Sequence, residues 1–129
     1  MVRMKKLLVL FLSVVVMASC TQYAKVQKSM DYDYKYELAK AYYREGEYSQ
    51  ASSLLEDVLA FMQGTFYAEE SLYMLSMCYY NMKDYVTASH YFTTYYNTYP
   101  RGIYAEVARF MSARALYLDT PDPRLDQSS

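Results

Sequence analysis

The chain has 129 residues, room for one domain and hardly two. It is 53% hydrophobic and 21% charged with a net charge of −1, so there is no basic excess to draw nucleic acid. Three Gly and three Pro leave little punctuation for a many-stranded sheet, and two cysteines, Cys20 and Cys78, make neither a disulfide framework nor a metal cluster.

The first predicted element is a secretory signal over residues 1–19. Arg3, Lys5 and Lys6 form a charged start, Leu7 to Met17 an apolar run of 11 residues, and Ala18-Ser19 a small-residue cleavage site. The run is shorter than the roughly 20 apolar residues that span a bilayer. Removing residues 1–19 takes three basic and no acidic residues, leaving ten Lys and Arg against fourteen Asp and Glu, a net −4. Such a domain has little attraction for anionic headgroups, so its membrane attachment comes from a lipid or a partner.

Met17-Ala18-Ser19-Cys20 resembles the lipobox of bacterial lipoproteins, with Met17 where Leu is usual. The resemblance implies cleavage before Cys20, a diacylated thiol and an acylated amine. Three chains anchor firmly where one binds only marginally. Thr21 is neither the Asp of an inner-membrane retention signal nor part of an acidic export signal, which points to the periplasmic face of an outer membrane. Residues 20–31 then read as the lipidated Cys20 and a short polar tether.

From residue 32 the sequence repeats itself. A shift of 37 lays "YAEESLYMLSMCYY" (67–80) over "YAEVARFMSARALY" (104–117), and "YKYELAKAYYREGEYSQA" (34–51) over "SLYMLSMCYYNMKDYVTA" (71–88). The fold class is therefore all-α, a helix-turn-helix solenoid of about two and a half repeats over residues 32–118. The spacing predicts helices over 32–45, 48–62, 66–82, 85–98 and 103–118. In the first copy Leu38, Ala39 and Tyr42 make one helical stripe, Gly46 and Tyr48 mark the turn, and Ala51, Leu55 and Val58 follow in the second helix. The next copy uses Leu72, Leu75, Ser76, Tyr79, Tyr85, Ala88 and Phe92, and Pro100 stops its second helix. The third copy shows only a first helix, with Ala113 and Leu116. Small residues at 39, 51, 76, 88 and 113 allow helices to approach within about 8–10 Å. This pattern resembles the tetratricopeptide repeat over roughly residues 32–120, with Lys35 and Arg109 where a bulky apolar residue is usual and Ser112 in place of Leu.

Two aromatic series run through the copies at intervals of 37: Tyr36, Tyr73 and Phe110, and Tyr43, Tyr80 and Tyr117. Within each helix the two series lie seven residues apart, about two turns and roughly 10 Å, on one side. One reading is a peptide groove with six rings, beside which Lys40, Arg44 and Arg114 meet a terminal carboxylate. The other is packing between neighbouring first helices, or under further chain of a longer protein. Elsewhere the chemistry is sparse. His90 is the only histidine and reads as a surface residue, and Cys78 reads as a buried inert thiol. Glu69 and Glu70 suit a helix start. No glycine-rich phosphate loop, paired-His metal helix or nucleophile elbow occurs, so neither an enzyme nor a cofactor is expected.

Asp119-Thr120-Pro121 breaks the last helix, and residues 119–129 read as a tail. A solenoid wants about three repeats and a cap. The expectation is a piece of a longer protein, with an apolar face that makes it self-associate. The lipobox, tether, repeats and tail "TPDPRLDQ" together resemble the BamD family, the outer-membrane protein assembly lipoproteins. That resemblance implies five repeats. The N-terminal ones receive the C-terminal, aromatic-ended strand of nascent outer-membrane proteins, and the C-terminal ones dock a BamA-like barrel-assembly subunit. It covers the lipobox and the N-terminal half, and the repeats that dock that subunit belong to the other half. Two other readings remain: a different periplasmic repeat scaffold, or a carbohydrate-binding outer-membrane lipoprotein, which the absence of Trp weakens.

Overall fold

The 37-residue period folds as helix pairs. The computed structural model describes residues 2–28 and 31–121, with side chains over 2–15 and 31–121. Two units result, residues 1–31 and 32–129. The first is α1 (Val2–Lys28), a helix that continues through residues 21–28, the stretch read as a tether. No helix among the described residues is long and apolar enough to cross a membrane. The Cys20 side chain and residues 122–129 of the tail lie outside the described residues.

The second unit is all helical among its described residues: α2 (Tyr32–Arg44), α3 (Tyr48–Phe61), α4 (Phe66–Asn81), α5 (Tyr85–Thr98) and α6 (Ala105–Asp119). Each helix packs on the next, and α2 also meets α4, as in a tetratricopeptide-like stack. The first-helix series is thus α2, α4, α6, and the second-helix series α3, α5. Short turns reverse the chain each time, so the starts of α2, α4 and α6 share one end with the ends of α3 and α5. The core is made where the apolar stripes meet: Leu54, Leu55, Val58, Leu75, Phe92 and Tyr95 are fully buried. Cys78 is buried too, and burial pushes its thiol up to about 12, which leaves it protonated and inert.

The small residues sit at the crossings. Ala39, Ala51, Ser76 and Ala88 have no exposed surface. Ala88→Leu should therefore lower stability by about 1–3 kcal/mol through overpacking, read as a lower urea midpoint at unchanged m-value. The third copy departs from expectation. Ala113 and Leu116 are exposed, and α6 instead buries Ala105, Ala108, Ser112 and Ala115. Those four correspond under the 37-residue shift to Ala68, Ser71, Leu75 and Cys78, the face of α4 opposite α5. In α6 the matching face meets α5, and among the described residues no further helix follows to cover the positions equivalent to Leu72 and Ser76; Arg109, at the first of these, lies over the Tyr96 ring of α5 at 5.6 Å.

Two residues that break the repeat pattern are matched locally. Lys35 is buried, and its Nζ lies 3.0 Å from Asp57 Oδ2 across the α2–α3 crossing. Ser112 lies 2.9 Å from the Thr93 hydroxyl and 3.1 Å from the Ser89 hydroxyl, and donates to the Ser89 carbonyl. A hydroxyl in place of Leu is tolerated because it is not left unpaired.

Turns α2–α3 and α4–α5 are closed by equivalent hydrogen bonds. Gly46 N–H donates to Tyr43 O and Glu47 N–H to Tyr42 O. Lys83 N–H and Asp84 N–H repeat this to Tyr80 O and Tyr79 O. The turn needs a left-handed residue: Gly46 has φ +80° and Lys83 has φ +65°. Gly adopts this freely, whereas a Cβ makes it costly. Lys83→Gly should raise stability by about 0.5–1 kcal/mol, seen as a higher thermal midpoint.

Candidate functional site

The first-helix surface carries one small slot. It is lined by Lys40, Tyr43 and Arg44 of α2, by Glu70, Tyr73 and Met74 of α4, and by Tyr104 at the start of α6, and holds about 220 Å³. That is below the roughly 300–1,000 Å³ of pockets that bury a whole small ligand. It suits one or two side chains of a longer chain.

The floor is aromatic because the repeat brings two rings together. Tyr73 stacks on Tyr104 with centroids 4.0 Å apart and planes 6° from parallel. Phe92 and Tyr95 meet the edge of Tyr73 from below, at 6.2 and 6.1 Å. Tyr43 closes one side, with its ring 5.8 Å from Tyr48. Burial pushes the Tyr43 phenol up to about 12, and nearby Tyr73 adds to this. Burial raises Tyr73 as well. Both hydroxyls are therefore neutral donors at ordinary pH.

The rim is charged. Lys40 Nζ lies 3.7 Å from Glu37 and 4.9 Å from the centre of the Tyr36 ring. Arg44 is exposed, and its Nε donates to the Lys40 carbonyl at 3.3 Å. Glu70 accepts the Tyr36 hydroxyl. An incoming carboxylate would meet Arg44 and Lys40 on one edge and Glu70 on the other.

The sequence-predicted groove residues part company here. Lys40, Tyr43, Arg44 and Tyr73 come together in the slot. Tyr36 is only 2% exposed and is packed under Tyr67 at 4.8 Å, with burial and the Glu70 bond raising its phenol. It is closed to a ligand and belongs to the packing. Tyr80 lies away from the slot, 5.4 Å from Tyr85, and accepts a 2.8 Å hydrogen bond from Arg114 Nε. Phe110 and Tyr117 are exposed on the outer side of α6. The six-ring grid is thus reduced to Tyr43 and Tyr73, with Tyr104 added. Met74 and Tyr104 escaped the sequence reading, which took Glu70 only as a helix-start residue. The 37-residue shift did lay Tyr67 over Tyr104, and the two ring pairs Tyr36–Tyr67 and Tyr73–Tyr104 are repeat equivalents.

Fold and slot together define a tetratricopeptide-like helical-repeat protein whose first helices carry an aromatic recess with a basic edge. The chain matches the family YfiO, described as outer membrane lipoprotein, over residues 27–128, and belongs to that family. This is the BamD family that the lipobox and repeats resemble. Comparison with curated proteins and with solved structures finds no match.

Proposed function

We propose that this outer membrane lipoprotein is an adaptor of the barrel-assembly machinery. It is held on the periplasmic face by acyl chains on Cys20, and is a binding protein without catalytic chemistry. Its client is the C-terminal strand of a nascent outer-membrane protein. The observation that carries the reading is the slot between α2, α4 and α6. It is an aromatic recess sized for one or two side chains, with Arg44 and Lys40 on its edge. A terminal aromatic ring stacks in the recess while the chain-end carboxylate meets the guanidinium.

The test is crosslinking in intact cells followed by recovery from the envelope, comparing wild type with Cys20→Ala. Recovery of barrel-assembly subunits and nascent barrel proteins, lost in the variant, supports the reading. Recovery of cell-wall enzymes alone points to a different periplasmic scaffold and sinks it. A glycan-array signal without strand-peptide binding sinks it in favour of sugar recognition.

A further inference from the structure

The two ends of the repeat unit differ in chemistry. At one end lie the turns α2–α3 and α4–α5, which carry Arg44, Glu45, Glu47, Lys83 and Asp84. At the other lie the start of α2 and the loops α3–α4 and α5–α6. Residues 61–66, the first loop with the helix residue on either side of it, hold no charge, and residues 99–104 of the second hold only Arg101. Three large apolar side chains stand out from this end: Phe61 and Phe66, each 66% exposed, and Ile103, 79% exposed. Phe61 stacks on Tyr32 at 4.6 Å, which ties the α3–α4 loop to the first residue of α2. Gly102 faces Glu69 in the first turn of α4, which brings the α5–α6 loop to the same end.

The chain enters the repeat unit at this apolar end, since α2 begins at Tyr32, twelve residues after Cys20. We infer that the rim formed by Phe61, Phe66 and Ile103 sits in the interfacial layer of the bilayer and seats the repeat domain against the membrane. Exposed aromatic and branched side chains at helix ends and in loops gain from leaving water for the headgroup–acyl boundary, and such binding scales with apolar area. The occupant is a zwitterionic lipid surface, because the charges at this end are mainly acidic. Asp31, Asp33 and Glu106 lie in or beside the first turns, while Glu69 and Glu70 are turned inward to Tyr95 and Tyr36. Only Arg101 offers a positive charge in these loops. The inference rests on the lipid-anchored reading for how the domain reaches the surface.

The chain contains no Trp, so one introduced Trp is a clean reporter. Full chains carrying Phe61→Trp, Phe66→Trp or Ile103→Trp are reconstituted in vesicles of brominated phosphatidylcholine. The comparison is Val86→Trp, an exposed apolar site (59%) at the charged end. The expected result is blue-shifted, quenched emission at 61, 66 and 103 and unshifted, unquenched emission at 86. Admixed phosphatidylglycerol should weaken the quenching. Equal emission at all four sites overturns the inference, as does stronger quenching with phosphatidylglycerol, which would mean contact through Arg101 alone. Capture of a protein at residues 61 and 66 in native envelopes, with no lipid quenching, overturns it in favour of a protein partner. Lipidation is read separately, from the mass of the peptide containing Cys20. If no acyl chain is found, Cys20 is coupled to a maleimide lipid and the quenching repeated. Quenching then sinks the natural-anchor reading alone, whereas acylated Cys20 with no quenching sinks this inference alone.

Discussion

Replacing Tyr95 with Ala should cost about 3–5 kcal/mol of unfolding free energy, much of the stability that a domain of this size commonly has. Tyr95 is fully buried in α5, and three elements meet on it. Its hydroxyl donates to Glu69 Oε1 of α4 at 2.8 Å and accepts the Tyr104 N–H at the start of α6 at 3.1 Å. Its ring lies 5.5 Å from Tyr99 and 6.1 Å from both Tyr73 and Tyr104. Gly102 passes so close that a Cβ there would stand 2.6 Å from the hydroxyl and 2.5 Å from Glu69. Tyr95→Ala removes the ring and strands both polar partners. Tyr95→Phe keeps the ring and should cost about 1–3 kcal/mol through the unpaired groups alone. Urea unfolding followed by circular dichroism separates the two. A loss below 1 kcal/mol for Tyr95→Ala would mean that α6 is not docked as described.

The same junction sets an alkaline limit. Burial, with the Glu69 carboxylate adding and the Tyr104 N–H opposing, holds the Tyr95 phenol above its ordinary value of 10.0. As pH rises past 10 the unfolded chain loses this proton first. The contribution is whole below that pH and falls away above it. Tyr95→Phe should therefore flatten the decline of stability as pH is raised above 10, relative to wild type.

The 37-residue period made the helices legible, since every helix of the repeat unit starts and ends within two residues of its expected place. Periodicity reports which residues are equivalent, and equivalence in a stacked repeat is not sameness of surroundings. Tyr36, Tyr73 and Phe110 show the difference. Tyr36 lies beneath Tyr67 and Glu70 from the following first helix. Tyr73 lies beneath Tyr104 alone, with its other edge left to the slot. Phe110 has no described helix over it and is exposed. Lys35 and Ser112 were legible as departures from the pattern, but their partners Asp57, Ser89 and Thr93 lie on the neighbouring second helix and follow from no spacing within one copy. The uncharged stretch "FMQGTF" (61–66) was readable as well, yet its meaning depends on which loops share an end of the stack.

Tyr73→Ala should weaken binding of an aromatic-ended strand peptide by about 2 kcal/mol or more, close to thirtyfold in Kd, as expected for a central aromatic anchor. Tyr73 is half-buried, so its ring is held in place by Phe92, Tyr95 and Tyr104 before any ligand arrives. A rigid ring loses little entropy on binding. Tyr104→Ala should weaken binding in the same direction, because it removes the other half of the stack. Tyr117→Ala should leave affinity unchanged, since that ring stands on the outer side of α6. Arg44→Ala should lower affinity for the free-acid peptide and leave the C-terminally amidated peptide unaffected, which isolates the carboxylate contact from ring stacking. Titration calorimetry reads all four variants, with helicity measured on the same samples. Unchanged affinity for Tyr73→Ala at unchanged helicity would mean that the slot is only a packing defect between α2 and α4. Equal losses for Tyr73→Ala and Tyr117→Ala would move the peptide site to the outer face of α6.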